Sequence, residues 1–422
     1  MSEEAPPAAQ LLRAYLPGMR DRLAHWRALL DRPLTSYYLV LSCSLLLLAL
    51  GLVIVLSAST AYQLLQGYPE YAMFEKQVLG AILGLAIMWL MARAPVRLFR
   101  ALAYPVLMAS VLGLVLVLAV GPKVAGVERW ITVAGFQVQP SEFAKLALVL
   151  WGADLLARKE KLRQLTDSRQ LLIPLLPGLA VLALLVMAGD DLGTTFLLVV
   201  IFLALLWVIG TPARLLAGML GLMAFVILVL IVVQPWRLER STGFLGQSSS
   251  TCSNACYQLR EGKYALGSGG WFGVGLGASK AKWGWVPNSP SDFIFAILGE
   301  ELGLLGTLCV VTLYGGIAFA GLRIARRVTD TFSRLAAGSI TLWIIAQALV
   351  NIGAVLGVLP ITGVPLPLIS AGVSSLLVTM TALGMLMAFA RSEPGASQAL
   401  AAAGPGTARR LLRWLGLNRR SG

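Results

Sequence analysis

The sequence predicts an all-α polytopic membrane protein with about ten transmembrane helices, and three observations predict it. Of 422 residues, 58% are hydrophobic and 13% charged, with a mean hydropathy of +0.79; soluble domains do not have this composition. Ten apolar runs approach or exceed the roughly 20 helical residues needed to cross a hydrocarbon core. Arginine and lysine collect in every second connection, the alternation that membrane orientation imposes. A net charge of +14 would otherwise suggest nucleic acid. Here the cations are spread over separate loops, so no nucleic-acid partner is expected.

Residues 1–36 form a basic cytoplasmic arm carrying Arg13, Arg20, Arg22, Arg27 and Arg32. The arm is too long, and the run at 37–57 too extended, for a cleaved signal peptide, so the first span is a retained anchor. Spans at 77–93 and 101–120 enclose an inside loop with Arg93, Arg97 and Arg100. The span at 142–157 ends in Arg158, Lys159 and Lys161. Runs at 171–188 and 192–209 are divided by Asp190 and Asp191, and 214–234 follows Arg214. The longest connection, about 235–292, is the extracytoplasmic segment large enough to shape a site. Spans at 293–320, 335–358 and 368–390 complete a membrane domain over 37–391, with Arg323, Arg326, Arg327 and Arg334 inside. Ten crossings place both termini in the cytoplasm. The tail, 392–422, is rich in alanine and glycine; its basic end, Arg409 to Arg420, either rests on anionic lipid or is disordered.

Absences narrow the chemistry. The single histidine, His25, lies in the cytoplasmic arm, so no histidine base or zinc cluster serves an outside site. There is no P-loop or dinucleotide fingerprint. Acid–base work falls to carboxylates, lysine or tyrosine. Cys252 and Cys256 stand where oxidation is permitted and suit a local disulfide staple if the loop geometry allows, whereas a metal site would need two further ligands. Cys43 and Cys309 read as core filler.

Carboxylates in a membrane segment are costly and mark function. Asp292 precedes an apolar run that also contains Glu300 and Glu301; at a helix start it is either a cap or a catalytic acid. Glu142 and Lys145 are three apart on one helix face and can pair, holding their span or touching a substrate. Asp191, in a short turn, is placed to cap the following span. Arg129, beside Trp130, presents a planar cation suited to phosphate. Lys280 and Lys282 adjoin Trp283 and Trp285, which favour the lipid interface. Glycines 267, 269, 270, 273, 275 and 277 are spaced closely enough to form an anion nest.

Five segments, GVERWITVAGFQVQPSEFAK (126–145), DLGTT (191–195), YALGSGGWFGVGLGASKAKW (264–283), SDFIFAILGEELGLLG (291–306) and QALVNIGAVLGVLPITGVPLPLISAGVSSLL (347–377), together resemble the shape, elongation, division and sporulation family of bacterial cell-wall polymerases. The resemblance runs in order through essentially all ten spans. The Ser-Ala-Ser at 57–59 and the Lys282–Trp283 step are more similar to the division members than to the elongation members.

The resemblance implies a peptidoglycan glycosyltransferase that polymerises lipid II, a disaccharide-pentapeptide on undecaprenyl diphosphate, at the outer face of the bacterial cytoplasmic membrane. It places the family's essential acid on Asp292. Substrate-binding expectations fall on Arg129, Glu142, Lys145, Lys280, Lys282, Asp191, Glu300, Ser370 and Ser374, with a divalent cation (Mg2+ or Mn2+) as a candidate cofactor. A class B penicillin-binding protein of the FtsI-like type and other division proteins at the septum are the implied partners. The chain departs from the family pattern at Asp190, where proline is usual, at Ser289–Pro290–Ser291, which replaces Ala-His-Thr, and at Ala371 and Val373. A lipid II flippase, an elongation-type polymerase and a non-catalytic division scaffold are the alternatives.

Overall fold

The computed structural model describes residues 34–121, 129–133, 135–161, 168–233, 254–396 and 398. Among them lie eleven helices and a small hairpin: α1 Thr35–Leu65, α2 Ala72–Arg93, α3 Val96–Val120, β1 Ile131–Val133, β2 Phe136–Val138, α4 Pro140–Lys161, α5 Ser168–Ala188, α6 Leu192–Ile209, α7 Ala213–Val233, α8 Asn254–Ser268, α9 Ile294–Arg327, α10 Thr331–Leu356 and α11 Val373–Ala390. Each of the ten expected spans coincides with a helix. Seven (α1, α2, α3, α6, α9, α10, α11) are long and apolar enough to cross a membrane, and α5 and α7 contain shorter apolar stretches. α4 carries Glu142, Lys145 and Asp154 in its interior, yet all three are buried.

Local chemistry sets the boundaries. Pro95 forces Ala94 into an extended conformation and ends α2. Asp191 caps α6 by accepting from the Thr194 amide, and Gly210, at φ 93°, closes that helix in the left-handed region. Asp330 caps α10 and Gly357 closes it in the same way. Residues 1–33 of the N-terminal arm and most of the tail, with the basic end at Arg409 to Arg420, lie outside the described residues.

The centre of the bundle is built by α4, α6, α10 and α11, whose buried side chains include Leu148, Phe202, Trp343 and Phe389. Small residues let helices approach where no hydrophobic effect drives them together. A Cβ on Gly384 of α11 would lie 2.5 Å from the Met88 carbonyl of α2. At one end of the bundle, charged pairs tie helices together: Arg100 to Asp330 at 2.5 Å and Arg334 to Glu160 at 3.0 Å.

Three features depart from expectation. The span expected at 368–390 begins at Val373, because residues 358–372 form an irregular segment, buried over most of 364–371. Irregular backbone at such depth must have its polar groups met. Gln347 donates to Pro365 O at 2.9 Å, Asn351 to Val364 O at 2.8 Å and Tyr314 to Pro367 O at 2.5 Å. The span expected at 293–320 runs on to Arg327 and is broken at Gly303 (φ 68°, ψ −164°). The long connection also holds a helix, α8, that the sequence reading did not anticipate.

The glycine-rich loop closes the break in α9. Val274 N donates to Glu300 O at 2.9 Å and Gly275 N to Glu301 O at 3.2 Å, while Leu304 N donates to Gly270 O at 2.9 Å. A Cβ on Gly273 would lie 2.1 Å from Glu301 O, so the approach requires glycine. Of the glycine amides expected to form an anion nest, that of Gly275 is spent on α9 and that of Gly273 on Gly269 O within the loop.

Candidate functional site

A cavity of about 1130 Å3 opens among the start of α2, the hairpin, the turn before α6, the approach to α9, the irregular segment and the start of α11. Its charged wall residues are Lys76, Arg129, Asp190 and Asp292. Tyr62, Trp130, Gln137 and Ser374 add polar and aromatic surface.

Asp292 is half-buried in the wall. It stands one residue before Phe293, the N-cap position of α9. Its backbone is held from three sides. Asn351 Nδ2 donates to Asp292 O at 2.9 Å, Ser370 Oγ to Ser291 O at 2.6 Å, and Ala371 N to Pro290 O at 2.9 Å. These contacts use carbonyls alone, so the unusual side chains at 289–291 leave them intact. Opposite the carboxylate stands Gly363, where a Cβ would lie 3.7 Å from Asp292 Oδ2.

Arg129 spans from the hairpin to the α5–α6 turn, donating through Nε to Gly189 O at 3.0 Å and through Nη2 to Asp190 O. Asp190 takes φ 58°, which the proline ring forbids. The departure from the family's proline is thus a conformational one.

Several expected substrate contacts lie elsewhere. Glu142 and Lys145 pair at 2.9 Å inside the bundle, and Lys145 also donates to Gln347 Oε1 at 2.9 Å and lies 5.1 Å from the Trp343 ring centroid. Neither lines the cavity; burial without water forces the ammonium to use protein partners. Asp191 is buried, accepting from Gln139 Nε2 (3.0 Å), Ser141 Oγ (3.2 Å) and Thr194 Oγ1 (2.7 Å). Glu300 is engaged by Ser279 Oγ at 2.5 Å and the amides of Lys280 and Ala281 at 3.1 and 3.2 Å. Lys282 is bound to Glu301 at 3.2 Å, Ser57 Oγ at 2.7 Å and Gly277 O at 2.6 Å. The Lys280 side chain is exposed and outside the cavity wall. These charges fasten the loop at 277–282 to α1 and to the break in α9, leaving the wall to other residues.

Ser374 lines the cavity and ties α11 to the hairpin, donating to Gln137 O at 2.9 Å. Ser370 is buried and orders its own segment by accepting from Leu366 N at 2.7 Å. Cys256 is disulfide-bonded, Cys43 and Cys309 are free thiols, and Cys252 lies outside the described residues.

The sequence reading missed Lys76, Gln77 and Asn351. Lys76 was legible as a cation at the start of an apolar span with no acid three or four residues away. Gln347 and Asn351, four apart, were legible as two amides on one face of a span. No group of three or more His, Cys, Asp or Glu side chains placed to hold a metal exists among the described residues. Asp190 and Asp292 are the carboxylates in the cavity wall.

Fold and site define a multi-pass membrane protein with a polar cavity at one end of its bundle, walled by an acid, an arginine and an irregular segment held by amide side chains. The chain belongs to the FtsW/RodA/SpoVE family, whose model, described as cell cycle protein, matches residues 37–394. It is 41% identical over 399 residues to a Mycobacterium tuberculosis protein named "Probable peptidoglycan glycosyltransferase FtsW", covering 94% of this chain and 76% of the relative. It is 34% identical to stage V sporulation protein E of Bacillus subtilis, covering 84% and 96%. Among solved structures it is similar to a chain of a peptidoglycan synthase complex described as coordinating polymerization and crosslinking (TM-score 0.70, 26% identity, 83% and 96% covered). It is also similar to the rod shape determining protein RodA of Thermus thermophilus (TM-score 0.61, 27% identity, 86% and 98% covered).

Proposed function

We propose that this chain is a peptidoglycan glycosyltransferase that polymerises lipid II at the outer face of the bacterial cytoplasmic membrane, with Asp292 as general base. The observation that carries the reading is that Asp292 and Arg129 wall one cavity in a chain whose relatives bear the glycosyltransferase name.

Polymerisation joins a sugar 4-hydroxyl to an anomeric carbon that carries a lipid diphosphate. The new C–O bond forms as the anomeric C–O bond to phosphate breaks, with inversion, and the hydroxyl proton must leave. Asp292 accepts that proton. The leaving diphosphate departs with the bonding pair, and its charge calls for cations in the wall; Arg129, a delocalised guanidinium with donors beyond the two engaged at the turn, suits it. A Mg2+ or Mn2+ ion bound with the phosphates would add charge neutralisation.

A class B penicillin-binding protein is the proposed partner, supported by the likeness to a chain of a peptidoglycan synthase complex. The division septum is the proposed place of action, supported by the FtsW names of the relatives and by the part-buried Ser57–Lys282 contact within the division-like segments.

The test is polymerisation of labelled lipid II by purified protein with its transpeptidase partner. Asp292→Asn is expected to lower the rate by about a hundredfold or more, the usual worth of a positioned base. Equal rates would remove Asp292 as the base. Translocation of lipid II in vesicles by a wild type that makes no polymer would favour the flippase.

A further inference from the structure

We infer that Lys76 is a second cation, beside Arg129, that binds the donor's diphosphate in the cavity that also holds Asp292. The inference rests on the proposed glycosyltransferase reading and assigns a residue within it.

The three lysines expected to bind substrate do not fill this role. Lys145 is buried against Glu142 and Gln347, Lys282 is buried against Ser57, Gly277 O and Glu301, and Lys280 is exposed outside the wall. Arg129 is partly consumed by two carbonyls. Lys76 remains. It lines the cavity with Arg129 and Asp292, and among the described residues it has no ion pair or side-chain hydrogen bond.

Local structure does not account for a lysine here. Residues 72, 73, 79 and 80, its neighbours on the helix face, are Ala, Met, Leu and Gly, so no acid pairs with it. Lys76 is exposed on the cavity wall, where its ammonium is open to a bound anion.

Its placement is also fixed. The adjacent Gln77 is buried, donates to Ser370 O at 3.3 Å and accepts from Gly372 N at 3.1 Å. Those two bonds lock α2 in register against the irregular segment, and with it the station of Lys76 on the wall. An ammonium is a compact point charge that suits a phosphate without demanding planar geometry.

Displacement of a fluorescent undecaprenyl diphosphate analogue from the full chain tests this without turnover. Undecaprenyl diphosphate and undecaprenyl monophosphate are the competitors. Wild type is expected to prefer the diphosphate. Lys76→Gln is expected to weaken the diphosphate about ten- to a hundredfold, the worth of one charge-assisted hydrogen bond, to leave the monophosphate little changed, and to raise KM for lipid II more than it lowers kcat. Lys76→Arg should restore the preference. Lys76→Met, which keeps the side-chain length, repeats the test if the glutamine variant folds poorly; the ratio of the two competitors does not depend on how much protein is folded.

An unchanged ratio in both neutral variants would overturn the inference. So would a variant that changes only the dependence on phosphatidylglycerol in the vesicles, which would assign Lys76 to a phospholipid headgroup. A wild type that discriminates the diphosphate through Lys76 and yet forms no polymer would sink the glycosyltransferase reading and keep the diphosphate site.

Discussion

Asn351 and Asp292, 59 residues apart, are joined by a 2.9 Å bond from the Asn351 amide to the Asp292 carbonyl, and the same amide holds Val364 O at 2.8 Å. One side chain on α10 thereby fixes the acid against the segment that faces it. Replacing Asn351 by Leu leaves two carbonyls short of a donor, at about 1–3 kcal/mol for each buried group left unsatisfied. The expected outcome is a fall in kcat with lipid II binding retained, measured by single-turnover polymerisation beside a displacement assay. A fall in binding and kcat together would assign Asn351 to stability alone.

The Glu142–Lys145 pair is a packing unit. Lys145→Met strands a buried carboxylate and should destabilise the protein by about 3–5 kcal/mol, whereas the double variant with Glu142→Leu should recover much of that loss. Thermal unfolding in detergent reads both. A double variant as unstable as the single one would show that the two charges act separately.

Gly273 admits no side chain. A Cβ there would meet Glu301 O at 2.1 Å, so Gly273→Ala should detach the loop from the break in α9. Faster protease cleavage within 269–283 is the expected signature. Unchanged cleavage would mean that the loop shifts to accommodate the methyl.

Asp190, at φ 58°, should not tolerate proline. Asp190→Pro is expected to lower thermal stability, while Asp190→Gly, which accepts the left-handed conformation, should be close to neutral. A proline variant as stable as the wild type would mean that the turn takes a second conformation.

Ser57, Lys282 and Glu301 illustrate how the site was and was not legible in the chain. The Ser-Ala-Ser after the first span and the Lys282–Trp283 step stood out as motif pieces, 225 positions apart from Ser57 to Lys282. Nothing in their spacing said that they meet. Lys282 thus read as a substrate cation, when its charge is met by Glu301. Lys145 misled for the same reason: a helix-face spacing of three foretold its partner in Glu142, and no local rule could foretell Gln347 closing the other side. Lys76 was passed over because a single cation at a span's edge is unremarkable until its neighbours in space are known.

By itself the sequence determined the membrane class, the approximate places of the apolar helices and the motifs of the family, because hydropathy and charge alternation act over short stretches of chain. Only the tertiary structure decided which charges are spent on one another and which face the cavity, that α9 breaks at Gly303, and that residues 358–372 run irregularly, buried over most of 364–371. Those outcomes depend on polar groups finding partners far along the chain in a medium without water, and such pairings are fixed by packing.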